Sequence, residues 1–164
     1  MFDLRNLDHS TIIYESANLA PLLRLEWNKL NPNFIATFAA DSSAVNIVDI
    51  RHLPSQPMIE LRGHNGFINS LAWAPHSPNH ICTSADDCQA YIWDISRHLV
   101  EANDPILAYT AAGEINNMKW CSSQPDWVSI IFRDFLQICT LRIEFCFVTL
   151  FILTNRNIIL SRYQ

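Results

Sequence analysis

Three tryptophans, Trp27, Trp73 and Trp120, are each followed five residues later by a proline, Pro32, Pro78 and Pro125, so the chain repeats itself after 46 and then 47 residues. A period of that length limits the fold more than any composition does. Each unit of a repeat array is one supersecondary element that buries its apolar face only against its neighbours. The likeness runs along the units: "LEWNKLNPNFIATFAADSSAVNIVDIR" from Leu25 lines up with "LAWAPHSPNHICTSADDCQAYIWDIS" from Leu71 once a residue is dropped before the Asp-rich turn, and "MKWCSSQPDWVSIIFRDFLQI" from Met118 follows in phase.

Within a unit the chemistry is that of strands. In "FINSLAWAP" apolar Ile68, Leu71 and Trp73 mix with small polar residues, and Pro75 and Pro78 then remove backbone donors and end pairing. "HICTSA" and "QAYIWDI" are short and rich in β-branched and aromatic residues, and the "DDC" between them is turn chemistry, because aspartate side chains bond nearby backbone amides. No window carries a sustained helical period with caps. These signals predict an all-β chain.

Composition narrows the class. Of 164 residues, 49% are hydrophobic and 16% charged, against roughly 25% charged in ordinary soluble domains. A net charge of −5 and the lack of a Lys or Arg run leave no basic field for a phosphate backbone, which argues against direct nucleic-acid binding. Cys82, Cys88, Cys121, Cys139 and Cys146 form an odd set without regular spacing, and no secretory signal is read at Met1, so reduced thiols in a cytoplasmic and nuclear protein are expected.

A Gly-His pair, Gly63 and His64, opens the second unit and a Trp-Asp pair, Trp93 and Asp94, closes it. This bracket, at a period in the mid-forties, resembles the WD repeat, one blade of a β-propeller. "PLLRLEWNKLNPNFIAT", "LAWAPHSPNHICTSADDCQAYIWDI" and "ANDPILAYTAAGEINNMKWCSSQPDW" resemble, more narrowly, the anthocyanin-regulator WD-repeat family, with its plant TRANSPARENT TESTA GLABRA type. Its animal counterpart is a cullin-ligase-associated scaffold for dual-specificity tyrosine-regulated kinases. The likeness covers about Met1 to Ile138. It implies an incomplete WD-repeat propeller, about three blades of a seven-bladed ring. The division that follows is a truncated blade's end strand and linker (1–24), a degenerate blade (25–61), a WD-repeat blade (62–104), a partial blade (105–143) and a divergent apolar tail (144–164).

The resemblance also implies a buried network of His64, Thr83, Asp87 and Trp93, which is tolerable only if the buried polar groups satisfy one another. Cys88 stands where most WD repeats have glycine after the turn aspartate. The first unit has Val48 in place of tryptophan and no Gly-His upstream, so its network is expected to be incomplete. "FDLR" at Phe2 aligns with "VDIR" at Val48, placing the start of the chain within a blade. The nine apolar residues from Phe145 to Leu153 are too few for a membrane helix, which needs about twenty.

Other constellations lead nowhere chemical. His76, His80, Cys82 and Cys88 lack the paired spacing of a zinc site, so no metal is expected. Asp86 and Asp87 read as turn caps rather than a proton-sharing pair. With only Gly63, Gly66 and Gly113, there is no phosphate-cradling loop. The sequence therefore predicts a non-catalytic interaction scaffold without a cofactor. The partners implied by the resemblance are kinases, transcription factors or a cullin-ligase adaptor, with Asp49 and Arg51 at a blade end as the contact, Arg51 reading equally well as a solvated charge. The competing expectation is a truncated, nonfunctional or membrane-associated product of the same gene type.

Overall fold

The computed structural model describes residues 2–3, 5–16, 18–52, 57–97, 101–102, 104–141, 149–153 and 158–162. Strands β1 (Phe2–Asp3) and β2 (Asn6–Ser10) form a small antiparallel hairpin. The first large sheet is built from β3 (Leu22–Trp27), β4 (Phe34–Ala39), β5 (Ala44–Asp49) and β6 (Ile59–Arg62), each antiparallel to the one before. The second begins with β7 (Ile68–Trp73), β8 (His80–Ala85) and β9 (Gln89–Asp94), followed by a 3-10 turn at Ile95–Arg97. The chain then lays β10 (Glu101–Ala102) parallel to β6 of the first sheet and returns with β11 (Leu107–Thr110) to pair with β9. The third sheet runs β12 (Ile115–Trp120), β13 (Trp127–Phe132), β14 (Phe135–Thr140), β15 (Thr149–Leu153) and β16 (Ile158–Arg162). Among the described residues there is no α-helix, and the architecture is an arc of β-sheets, an incomplete β-propeller.

The sheets repeat at the level of register. Leu25 opposes Thr37, Leu71 opposes Thr83 and Met118 opposes Ile130. Each first strand is also irregular at the same place, between Leu22 and Arg24, Ile68 and Ser70, and Ile115 and Asn117. An extra residue bends such a strand and sharpens its twist. The five-residue Trp-to-Pro spacing has a cause in two of the three units: the indole N–H of Trp27 donates to the Pro32 carbonyl and that of Trp120 to the Pro125 carbonyl, both at 2.6 Å. In the middle unit Trp73 is buried against the first sheet and donates instead to the Glu26 carbonyl at 3.1 Å.

The cores lie between sheets. Phe38, Val45, Ile47, Ile59 and Leu61 close on Leu71, Trp73, Ile81 and Trp93, and Ala72, Cys82 and Ile92 close on Ile115, Met118 and Ile130. Full burial of each large apolar side chain is worth about 1.5–3 kcal/mol, so the joints, not the single sheets, hold the arc together.

Two unit boundaries drawn from the sequence do not coincide with sheets. The boundary at 104/105 falls inside the second sheet, because the repeat phase counts β11 with the following tryptophan while hydrogen bonding gives it to β9. In the segment 144–164, β15 pairs with β14 and β16 with β15, so those residues extend the third sheet. Phe145 and Cys146 lie outside the described residues.

Candidate functional site: a buried network and a charged blade end

The β6–β7 connection carries His64, β8 carries Thr83, the β8–β9 turn carries Asp87 and β9 carries Trp93. The fold brings all four together. Trp93 Nε1 is 2.8 Å from Thr83 Oγ1, Thr83 Oγ1 is 2.8 Å from His64 Nε2, and His64 Nδ1 is 3.0 Å from Asp87 Oδ2. Donor rules then fix the protons. Indole nitrogen only donates, so Thr83 accepts from Trp93 and gives its own hydroxyl proton to His64 Nε2; the imidazole proton therefore sits on Nδ1 and faces the carboxylate. Asp87 also accepts the backbone N–H of Asn65 at 2.9 Å and of Gln89 at 3.0 Å. Tyr91 stacks on the His64 ring at 4.2 Å and meets Trp93 edge-on at 5.7 Å.

Burial holds the His64 pKa below the ordinary 6.5, with the Asp87 carboxylate opposing that shift. Protonation would also put a second N–H where Thr83 now donates. The folded state thus prefers neutral His64 more than the unfolded chain does, so this stability is complete above about pH 6.5 and is lost as pH falls below it. Urea unfolding compared at about pH 7.5 and 5.5 is expected to show the drop, with a slope of at most about 1.4 kcal/mol per pH unit, and His64→Asn to flatten it.

Turn geometry around the network was partly hidden in the sequence. Cys88 has φ 65°, the left-handed conformation usually left to glycine, and Asp41 and Arg133 take φ 55° and 50° in the matching turns of the other sheets. Gly66, rather than the exposed Gly63, is where a side chain is excluded: a Cβ there would lie 2.5 Å from the Asp87 backbone nitrogen. The Asn65-Gly66 turn dipeptide was the available signal. In the first unit Thr37 donates to the Arg24 carbonyl at 2.7 Å, Val48 is buried, and Asn46 reaches Tyr14 Oη at 3.0 Å, so those positions serve other contacts.

At the end of β5, Asp49 is buried while Arg51 folds back on it, Nη2 to Oδ2 at 2.6 Å and Nε to Oδ1 at 3.0 Å, with the Arg51 backbone N–H on Oδ1 at 3.0 Å. These bonds hold the Asp49 pKa down at about 2. The Arg51 side chain is still 57% exposed and His52, 3.4 Å from Asp49, is 81% exposed, so the guanidinium and the neighbouring imidazole both face solvent. In the second unit Asp94 holds the backbone N–H and hydroxyl of Ser96 in the same way.

The remaining candidates disperse. His76 meets Trp120 edge-on at 5.6 Å, His80 Nδ1 bonds Ser77 Oγ at 2.6 Å, and buried Cys82 points at the Ala72 carbonyl. Asp86 accepts from Asn69 at 2.6 Å, so it and Asp87 take different partners. Among the described residues no group of three or more His, Cys, Asp or Glu is placed to hold a metal ion.

Residues 55–94 match the family model described as WD domain, G-beta repeat. The chain is 56% identical over 138 residues to the DDB1- and CUL4-associated factor 7 homolog of Dictyostelium discoideum, covering 84% of this chain and 42% of that protein. A WD repeat-containing protein of Saccharomyces cerevisiae is 39% identical over 120 residues, 63% of this chain and 23% of its own length. The histone acetyltransferase type B subunit 2 of Aspergillus oryzae is 32% identical over 94 residues, 53% of this chain and 22% of its own length. The chain spans less than half of each of these relatives.

Proposed function

We propose that this WD-repeat chain is a non-catalytic scaffold that docks on a cullin-ligase adaptor of the DDB1–CUL4 type through the charged end of its first large sheet. The observation that carries the reading is its 56% identity to a protein named for association with DDB1 and CUL4. The surface that fits is Arg51 with His52: a guanidinium already held in a fixed direction by buried Asp49 loses little freedom on binding, and arginine is over-represented among residues that dominate interface energy. Kinases and transcription factors, in the cytoplasm and nucleus, are the further partners suggested by likeness to the anthocyanin-regulator family.

Charge reversal is the wrong test, because Arg51→Glu would leave Asp49 buried beside a second carboxylate. Arg51→Lys keeps a cation over Asp49 and gives up the planar fork. It is expected to weaken capture of recombinant DDB1–CUL4 about fivefold, the effect of a contact worth about 1 kcal/mol, with a smaller change in stability. Undiminished capture would confine Arg51 to its structural role.

A further inference from the structure

Asn65 is the only asparagine of the chain that is followed by glycine. An asparagine amide and the next backbone nitrogen are spaced to close a five-membered ring, and glycine, having no Cβ, leaves that nitrogen unhindered. Asn65 is exposed, and neither its side-chain amide nor the Gly66 N–H has a hydrogen-bond partner among the described residues. Asn69, which precedes a serine, is the contrast: its amide is held by Asp86 at 2.6 Å and by the Ile115 carbonyl at 3.1 Å. The Asn65-Gly66 pair is also tied to the buried network. The Asn65 backbone N–H donates to Asp87 Oδ2 at 2.9 Å, the oxygen that His64 Nδ1 meets at 3.0 Å. Gly66 lies so close to the next turn that a Cβ on it would stand 2.5 Å from the Asp87 backbone nitrogen.

We propose that Asn65 is a site of spontaneous deamidation and isoaspartate formation, and that the modified residue disconnects Asp87 from His64. The Gly66 nitrogen gives its proton to solvent base and attacks Asn65 Cγ. An N–Cγ bond forms, the Cγ–Nδ2 bond breaks, and the amide nitrogen leaves as ammonia with a proton taken from water. A water molecule then opens the succinimide ring. Opening at Cγ gives aspartate, whereas opening at the original backbone carbonyl leaves isoaspartate, whose main chain runs through Cβ and Cγ and is one atom longer. Nothing is oxidised or reduced: one water is consumed and one ammonia released. Both products place a new carboxylate beside Asp87. Isoaspartate also lengthens the main chain where both of its ends are fixed on Asp87, so either the Asn65 N–H leaves Oδ2 or Gly66 leaves the turn. A displaced Asp87 leaves the buried His64 N–H without its acceptor.

The folded chain, kept warm at mildly alkaline pH, is digested at intervals and mapped by mass spectrometry. The peptide holding Asn65 is expected to gain one mass unit before any other asparagine peptide, and to accept methyl groups from S-adenosylmethionine through protein isoaspartate methyltransferase. Asn65→Gln, which would have to close a six-membered ring, is expected to lose that methyl acceptance. The isoaspartyl fraction is expected to unfold at a lower urea concentration than the parent, and Asn65→Asp, which brings the charge without the extra main-chain atom, to stay closer to the parent. Mass gain at Asn65 more than tenfold slower in the folded chain than in the chain unfolded by urea would mean that the turn must open first, and would overturn the site. An isoaspartyl chain with the parent's urea midpoint would overturn its coupling to the network.

Discussion

Replacement of Trp93 by alanine is expected to remove about 3–5 kcal/mol of stability, the range for truncating a fully buried tryptophan. Trp93 is 1% exposed and does two things at once. Its ring fills the joint between the first and second sheets, and its N–H is the donor that orients the Thr83 hydroxyl toward His64. Trp93→Phe separates the two, keeping most of the apolar volume while dropping the donor, and should cost about 0.5–1.5 kcal/mol for the lost hydrogen bond plus a smaller packing loss. Equilibrium urea unfolding of the three proteins at neutral pH measures the difference. If Trp93→Phe proved as damaging as Trp93→Ala, the ring volume would not be what matters, and the account of the joint would be wrong.

Phe38→Ala should be as severe, about 3–5 kcal/mol, for a different reason. Phe38 belongs to no hydrogen-bonded network; it is 0% exposed because the second sheet lies on it. If the joints supply the stability, the truncation should lower the unfolding midpoint of the arc as a whole, so intrinsic tryptophan fluorescence and far-ultraviolet circular dichroism should report coincident transitions. A variant that lost only a local signal, with the second sheet unfolding as before, would mean that the sheets are stable separately. Ile131→Ala, at an exposed position in register with Phe38, is the control and should change stability by no more than about 0.5 kcal/mol.

Residue type explains which parts of this could be read in advance. His64, Thr83, Asp87 and Trp93 were picked out by the resemblance to the WD repeat, and their restricted donor and acceptor repertoires explain why such burial needs partners. The Trp-to-Pro spacing was legible as a repeat, but not that Trp73 would turn from its own proline to the Glu26 carbonyl, a choice made by the neighbouring sheet. Strand β10 is two residues, Glu101 and Ala102, with no β-branched or aromatic signal, and its parallel pairing comes from the path of the connection. Arg51 read equally as an adaptor contact and as a solvated charge, and nothing local shows that Asp49 is buried beneath it; that depends on the packing around β5. The segment after Leu141 leaves the repeat, so no phase remained to predict that β15 and β16 would extend the third sheet.

The placing of β10 orders events during synthesis. After β9 the polypeptide leaves the second sheet, adds a fifth strand to the first, and only then supplies the outer strand of the second. On a ribosome adding about 5–20 residues per second, the first sheet waits roughly 2–8 seconds between β6 and β10 for its outermost strand, and by then β7, β8 and β9 have all emerged. Neither sheet reaches its final strand complement before the other has begun. A nascent chain emerged only as far as a point between Ile95 and Glu101 should therefore hold two unfinished sheet edges instead of one finished blade, and a protease in the translation mixture should cut it at both.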